Sequence, residues 1–188
     1  KVWLGIVVDG AAEGTLTLSR PRFTDEVYRP DRPAAITGGD NAGKWSVAKD
    51  PAVQATLTTP SEGPDGKPCM KFEFRFPGGA HMYALPRVGL PGLDLEGYRA
   101  LRFQCKATLP PGIKVLLVTL AEAQGGQYCS EPAPPANGEW GVVEIPIANF
   151  KVASWGKDPD GKLDLAGLGG VIIGTHGTSA GGPGTICV

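Results

Sequence analysis

The stretch Asp94-Leu-Glu-Gly-Tyr-Arg-Ala-Leu-Arg-Phe-Gln-Cys-Lys-Ala107 carries the pattern that decides the fold of this chain. In its second half, Leu101, Phe103 and Cys105 alternate with polar residues. A period of two is typical of a strand that has one face in a core and the other in water. The stretch therefore predicts an amphipathic strand.

A second stretch, Gly138-Glu-Trp-Gly-Val-Val-Glu-Ile-Pro-Ile-Ala-Asn-Phe150, predicts another strand. Val143 and Ile145 alternate ahead of Pro146. Because proline cannot donate a backbone hydrogen bond to a sheet, Pro146 marks the end of this strand or an edge position.

Short strands separated by turn residues recur along the whole chain. Turn sequences such as Pro77-Gly-Gly79 and Pro159-Asp-Gly161 bound them. The predicted strands are Val2–Val8, Thr15–Leu18, Trp45–Val47, Val53–Thr58, Cys69–Phe76, His81–Leu85, Ala100–Ala107, Lys114–Glu122, Gln127–Cys129, Gly141–Pro146, Gly170–Gly174 and Gly184–Val188. Many short strands with no helix between them predict an all-β protein, an antiparallel β-sandwich.

The composition fits a single folded β domain. The 188 residues include 28 glycines and 18 prolines, and 41% of the residues are hydrophobic. The net charge is −1, with no run of one sign, so a groove that tracks nucleic-acid phosphates is not expected. No continuous apolar segment reaches the length of a transmembrane helix, so we expect no membrane partner.

Together the two stretches resemble strand motifs of the carbohydrate-binding jelly rolls that accompany secreted glycan-degrading enzymes. Such modules carry Gly-Tyr-x-x-Leu-x-Phe and, later, Trp-x-x-Val-x-Ile-Pro-x-x-x-Phe. The matching residues here are Gly97, Tyr98, Leu101 and Phe103, then Trp140, Val143, Ile145, Pro146 and Phe150. The resemblance covers residues 40–188 and extends to several galactose-binding-like module families, among them families 4, 11, 16 and 30. It implies a secreted protein with a jelly-roll fold.

The two ends of the chain repeat a pattern. Leu4-Gly-Ile-Val-Val8 with Gly14-Thr-Leu-Thr-Leu18 parallels Leu168-Gly-Gly-Val-Ile-Ile-Gly174 with Gly184-Thr-Ile-Cys-Val188. In the modules that the chain resembles, this pattern is the closing hairpin. The chain is therefore divided into an N-terminal hairpin at 1–28, a linker at 29–40 and a jelly-roll module at 41–188. The hairpin is either the tail of a preceding module or, as we favour, a pair of extra strands of the same sandwich.

Sugar-binding sandwiches stack an aromatic ring on a pyranose and satisfy its hydroxyls with amides, carboxylates and arginine. Trp155 is the first candidate for the ring, because it lies in a predicted loop where a large apolar side chain needs a cover. The predicted platform and its polar contacts are Trp155, Tyr83, Tyr128, His81, Arg102, Gln104 and Glu122. Arg102 and Gln104 are expected to face water, with Glu122 and Gln127 as candidate neighbours across the sheet. The alternatives are half-buried tyrosines with wet hydroxyls and, at Arg102, an ion pair on a solvated strand.

The remaining aromatic residues are predicted to serve packing. Phe72, Phe74 and Phe76 alternate on one face of a strand, which indicates a core position. Trp45 and Trp140 are predicted to be structural as well.

Four cysteines and two aspartates raise the questions of cross-links and metal. The cysteines contain no C-x-x-C pair, which disfavours structural zinc. The favoured disulfides are Cys105–Cys129, between strands expected to be neighbours, and Cys69–Cys187, while buried free thiols are an equal alternative. Asp158 and Asp160 are similar to part of a calcium loop, but two aspartates supply too few oxygens for calcium. The predicted function requires no cofactor, and a structural calcium ion is an open alternative.

The resemblance implies non-catalytic binding of a polysaccharide or oligosaccharide, by which the module keeps a covalently linked glycoside hydrolase near its substrate. A sandwich that spaces the domains of a surface protein is the first alternative, and a small polysaccharide lyase or hydrolase is the second. Catalysis is disfavoured, because glycoside hydrolysis needs paired carboxylates and the chain has no Glu-x-Asp-x-Glu strand.

Overall fold

The computed structural model describes residues 44–90, 95–177 and 181–188, which fold into two antiparallel β-sheets packed face to face. Within these ranges there is no α-helix, and short 3₁₀ turns lie at Pro64–Gly66, Ala136–Gly138 and Ile147–Asn149. This architecture confirms the predicted antiparallel β-sandwich of jelly-roll type. The predicted hairpin at 1–28 and the linker at 29–40 lie outside the described residues.

In the described part of the chain, one sheet has six strands and the other has five. The first is ordered β1 (Trp45–Lys49), β4 (Met82–Gly89), β10 (Leu168–Gly177), β6 (Leu117–Glu122), β7 (Gln127–Ser130) and β9 (Lys151–Val152). The second is ordered β2 (Gln54–Thr58), β3 (Lys71–Phe76), β11 (Gly182–Cys187), β5 (Ala100–Thr108) and β8 (Gly141–Pro146). β8 ends at Pro146, as its missing N–H predicts.

The inward faces of the two sheets fill the space between them. Phe72, Phe74 and Phe76 of β3 are buried there, which confirms the core position that their alternation predicts. The ring centroids of Phe72 and Phe74 lie 5.4 Å apart, and those of Phe74 and Phe76 lie 5.1 Å apart. Val171 and Ile173 of β10 belong to the same buried cluster. Burial of each such side chain stabilises the fold by about 1.5–3 kcal/mol.

Strand β4 is longer than the sequence predicts. The prediction ends it at Leu85, whereas the structure continues it to Gly89. Pro86 sits inside the strand opposite Val47 of β1. On the side of β10, the paired residues skip from Ala84 to Arg87, so the ladder is interrupted where the proline has no N–H to donate. β10 is also longer than predicted, and the short edge strand β9 is not predicted at all.

The C-terminal repeat does not form the hairpin that the sequence analysis expects. Its first half lies in β10 of the six-stranded sheet, and its second half lies in β11 of the five-stranded sheet. The chain therefore crosses from one layer to the other between the two halves. The hairpin prediction was wrong, because a repeated apolar pattern does not specify which strands pair.

All four cysteines are free thiols, so neither favoured disulfide is formed. Cys105 of β5 lies in the core, whereas Cys129 of β7 lies in the other sheet with Sγ 3.1 Å from Oγ1 of Thr119. The Cys105–Cys129 prediction was wrong, since it joins strands that are not neighbours. Cys69 and Cys187 are close to each other, as predicted, but as thiols. Burial raises the pKa of Cys105 to about 12 and that of Cys187 to about 11, which keeps both protonated at neutral pH.

Gly184 of β11 provides a test of the core packing, because a β-carbon there would overlap the ring of Phe74. We expect Gly184→Ala to lower the free energy of unfolding by about 1–3 kcal/mol, since a buried ring has little space to retreat. At the control position Gly89, the nearest atom to a β-carbon is the Gly169 oxygen at 3.9 Å. Gly89→Ala should leave stability unchanged or raise it by up to about 1 kcal/mol. Urea unfolding compares the two variants, and equal stability would contradict the packing.

Candidate functional site

The outer face of the six-stranded sheet is the side that points away from the core. On β4 it carries Tyr83, Leu85 and Arg87, because the alternate residues of this strand lie in or next to the core. On β10 it carries Ile172 and His176, for the same reason. This face gathers several of the side chains that the sequence analysis selects.

At one end of the outer face, two histidines and a carboxylate form a hydrogen-bonded chain. His176 pairs in register with Tyr83. The Nδ1 atom of His176 lies 3.3 Å from Nε2 of His81, and its Nε2 atom lies 3.2 Å from Oε1 of Glu131. Because both ring nitrogens of His176 are engaged, its ring is held in place beside Tyr83. A ligand there would meet polar groups of fixed orientation.

At the other end of the outer face, Trp155 presents its indole to solvent. The side chain is 57% exposed, and its Nε1 donates a hydrogen bond of 2.9 Å to Oε1 of Gln127. Gln127 also holds the loop that carries Trp155, since its carbonyl accepts from the Ala153 N–H at 2.8 Å. The Gly156 N–H in turn donates to the Ala153 carbonyl at 2.9 Å. The indole is therefore exposed and oriented at the same time.

The two ends are about 20 Å apart along the sheet. Gln127 lies in the same cross-sheet row as Gly170, and Tyr83 lies in the row of His176. Along β10 these rows are six residue steps apart, at about 3.3 Å per step. The exposed side chain of Arg87 lies next to Gly170, where a β-carbon would meet its Nε. Arg87 thus places hydrogen-bond donors on the outer face near the row of Gln127.

The middle of the outer face is closely packed. Leu117, Thr119 and Ile172 point away from the core by alternation, yet all three are buried. A ligand on this face would therefore meet the exposed side chains around the two central strands, not the central strands themselves.

Two further candidates, Glu122 and Tyr128, support the architecture around Trp155. Oε1 of Glu122 accepts a hydrogen bond of 2.7 Å from the Asp164 N–H. This bond ties the loop that contains Asp164 to the end of β6. The ring of Tyr128 packs in the core, where the residue is only 3% exposed. Its hydroxyl donates to Oδ2 of Asp158. The structure therefore leaves no open face of the Tyr128 ring for stacking on a sugar.

The hydrogen bond between Tyr128 and Asp158 shifts both pKa values. Burial, together with the neighbouring carboxylate, raises the pKa of the Tyr128 hydroxyl far above its usual range. The same hydrogen bond lowers the pKa of Asp158, because it favours the charged carboxylate. The pair is therefore a neutral phenol bound to an ionised carboxylate at neutral pH.

Arg102 and Gln104 lie on the opposite surface of the sandwich. Both face outward from β5 in the five-stranded sheet, whereas Glu122 belongs to β6 in the other sheet. The expectation that Glu122 and Gln127 neighbour Arg102 across the sheet was wrong for this reason, since both belong to the six-stranded sheet. Nε of Arg102 instead lies 3.9 Å from Oε2 of Glu144 on β8, and both side chains are exposed. This is the solvated cross-strand ion pair of the alternative prediction.

Asp158 and Asp160 use oxygens to hold their own loop. Oδ1 of Asp158 accepts from the Asp160 N–H at 3.4 Å, and Oδ1 of Asp160 accepts from the Lys162 N–H at 3.0 Å. Across the described ranges, no three His, Cys, Asp or Glu side chains are grouped to share a metal ion. The structural calcium ion stays a prediction.

Sequence reasoning does not select Arg87, His176 or Glu131, although all three lie on or beside the outer face. Arg87 follows Pro86, and the predicted strand ends before that proline, at Leu85, so the face of Arg87 could not be assigned. Continuing the alternation from Tyr83 through Pro86 would have placed it correctly. His176 lies beyond the predicted strand end at Gly174, but β10 continues to Gly177 and includes it.

Trp140 is more exposed than a packing residue is expected to be. The sequence analysis assigns it to packing, but it does not belong to the buried core cluster and is partly exposed. It lines a depression in the outer surface of the five-stranded sheet, together with Lys106 and Thr108. The structural role of Trp140 therefore stays a prediction. Trp45, by contrast, is buried in the core as predicted.

The fold is similar to that of known carbohydrate-binding modules. The family 11 carbohydrate-binding module of the cellulosomal cellulase Lic26A-Cel5E of Clostridium thermocellum superposes with a TM-score of 0.59 at 17% identity, covering 76% of this chain and 84% of that one. The family 11 module from Clostridium thermocellum in complex with a β-1,3-1,4-mixed-linked tetrasaccharide gives a TM-score of 0.60 at 16% identity, over 76% and 85% of the two chains. These likenesses establish a shared β-sandwich fold.

No family model matches the sequence, and no curated protein matches it. The described residues contain no helix that is long and apolar enough to span a membrane.

The hydrogen bond between Tyr128 and Asp158 predicts a pH-dependent contribution to stability. Because the pKa of Asp158 is lowered in the folded state, this contribution is present above the ordinary aspartate pKa of about 3.9 and is lost as the pH falls through the lowered value. We expect Tyr128→Phe to destabilise the fold at pH 6 more than at pH 2. Urea unfolding at the two pH values measures this, with Tyr83→Phe as the control. An equal effect of Tyr128→Phe at both pH values would contradict the assignment.

Proposed function

We propose that this chain binds a polysaccharide or oligosaccharide without catalysis, through the ends of the outer face of its six-stranded sheet. Trp155 stacks on a sugar ring at one end, and Tyr83 with the His81–His176 pair contacts the ligand at the other. Arg87 donates hydrogen bonds to sugar hydroxyls on the Trp155 side of this face. The distance of about 20 Å between the ends suits a chain of several sugar units and not a single small molecule.

The observation that carries this proposal is the exposed and oriented indole of Trp155. Among the large hydrophobic side chains of the described ranges, Trp155 is the most exposed, at 57%. An indole that is free to rotate would lose entropy on binding, whereas the hydrogen bond to Gln127 at 2.9 Å fixes this one in advance. The flat face is then available to the apolar face of a sugar.

The fold supports a glycan as the ligand class, because a module of similar fold was solved with a β-1,3-1,4-mixed-linked tetrasaccharide. We therefore place a mixed-linkage β-glucan first among the ligands to test, followed by cellulose, xylan, mannan and chitin. The same resemblance supports a secreted accessory module that is covalently linked to a glycoside hydrolase. Such a link raises the local concentration of substrate even when the site itself is weak.

Replacement of Trp155 tests the proposal directly. We expect Trp155→Ala to weaken binding to the retained polymer about tenfold or more, because the stacking surface is lost. The side chain is 57% exposed, so the melting temperature should stay close to that of the parent. Affinity electrophoresis in gels that contain each soluble glycan, with pull-downs on the insoluble ones, measures the change.

Val142→Ala is the matched control for Trp155→Ala, because Val142 is 50% exposed but lies on the other sheet. Gln127→Ala should weaken binding less than Trp155→Ala, and it should have no further effect when Trp155 is already alanine. Equal binding by Trp155→Ala and the parent chain would exclude Trp155 as the platform. Failure to bind any glycan in the panel would favour a structural spacer module.

A further inference from the structure

We infer a second glycan site on the outer surface of the five-stranded sheet, centred on Trp140. A depression with a volume of about 530 Å³ opens there. Its floor and walls come from strands β3, β11 and β5 and from the residue that precedes β8. The inference rests on the proposed function only for the class of ligand, because the residues are different and lie on the opposite side of the sandwich.

The depression is lined by two rows of residues that are paired across neighbouring strands. Cys187 of β11 pairs with Lys71 on one side and with Lys106 on the other. Gly141 pairs with Cys105, so Trp140, one residue earlier, continues the row beyond Lys106. Four neighbouring strand positions at about 4.8 Å spacing make this row about 14 Å long, with the indole at one end.

The second row supplies hydroxyl and carboxylate groups. Thr185 of β11 pairs with Glu73 of β3 and with Thr108 of β5. All three side chains line the depression. Hydroxyls both donate and accept hydrogen bonds, and a carboxylate accepts them. The row therefore offers complementary partners for sugar hydroxyls along the floor of the depression.

The charges around the depression favour an uncharged ligand. Lys71 is paired with Glu62 at 3.3 Å, and Glu73 lies close enough to raise the pKa of Lys71 further. Lys106 is the other cation of the lining. Two ammonium groups thus face two carboxylates, and the sum is zero. An anionic polymer would need an excess of cations, so a neutral glycan segment is the ligand that these residues fit.

Trp140 gives the depression its aromatic wall. It is partly exposed on a surface whose other side chains are charged or hydroxylated, and it makes no part of the core cluster. A tryptophan combines an apolar ring with a polar N–H, so at this half-wet position it can offer both to a sugar. With Trp155 on the other sheet, one chain would hold two glycan segments at once, which raises its avidity for a polymer.

Isothermal titration of the whole 188-residue chain tests the second site. Tetrasaccharides of mixed-linkage β-glucan, cellulose, xylan, mannan and chitin serve as probes, each in turn. We expect two sites per chain for the parent, one each for Trp140→Ala and Trp155→Ala, and none for the double variant. Two sites retained in Trp140→Ala, or a single site in the parent that only Trp155→Ala removes, would overturn the second site and leave the proposed function standing.

The same titrations can also support the second site while excluding the Trp155 site. A parent site that only Trp140→Ala removes would support the second site and exclude Trp155 as a platform. No binding of any probe would overturn both.

A second variant tests the site independently, in case Trp140→Ala fails to fold. Lys106 is exposed, so Lys106→Ala should fold like the parent. In the Trp155→Ala background we expect Lys106→Ala to weaken the remaining site about threefold or more, since a charge-assisted hydrogen bond is lost. Lys67→Ala, at an exposed lysine that does not line the depression, is the control. Equal affinities of these two variants would contradict the assignment of the depression as a glycan site.

Discussion

The packing of two sheets against a single aromatic row is the constraint on which the rest of the structure depends. Phe72, Phe74 and Phe76 occupy one face of β3, and Gly184 of β11 leaves the space that Phe74 needs. Side chains alternate along a strand, so each strand with one face in this core has its other face pointing outward. The sandwich therefore has two outer surfaces, one on each sheet. Both candidate binding regions follow from this division.

The sequence could predict what depends on alternation within one strand. The amphipathic strand at Ala100–Ala107 and the buried phenylalanines of β3 are of this kind, and the structure confirms both. Contacts between strands are different, because they depend on pairing between distant segments, and no local pattern specifies it. For that reason the Cys105–Cys129 disulfide was wrong, and so was the contact between Arg102 and Glu122. In each case the strands lie in different sheets.

The same distinction applies to the tryptophans. Trp155 was selected because a loop tryptophan is hard to bury, and its exposure of 57% agrees with that reasoning. Its hydrogen bond to Gln127 joins residues 28 positions apart, so the fixed orientation could not be predicted. Trp140 lies beside a strand whose motif suggests packing, yet the register of β5 and β8 places it on the outer surface. Whether a tryptophan next to a strand is exposed depends on how that strand pairs with its neighbour, and the residues around the tryptophan do not specify this pairing.

The most direct test of glycan binding on the outer surfaces uses the indole N–H signals in a ¹H–¹⁵N correlation spectrum, assigned by single substitutions. Each of the five tetrasaccharides is added in turn to the labelled chain. The Trp155 and Trp140 signals should move with the bound probe, while the signal of Trp45, which is buried in the core, should stay in place. Binding that moves neither the Trp155 nor the Trp140 signal would contradict the account, and so would the absence of any shift with all five probes.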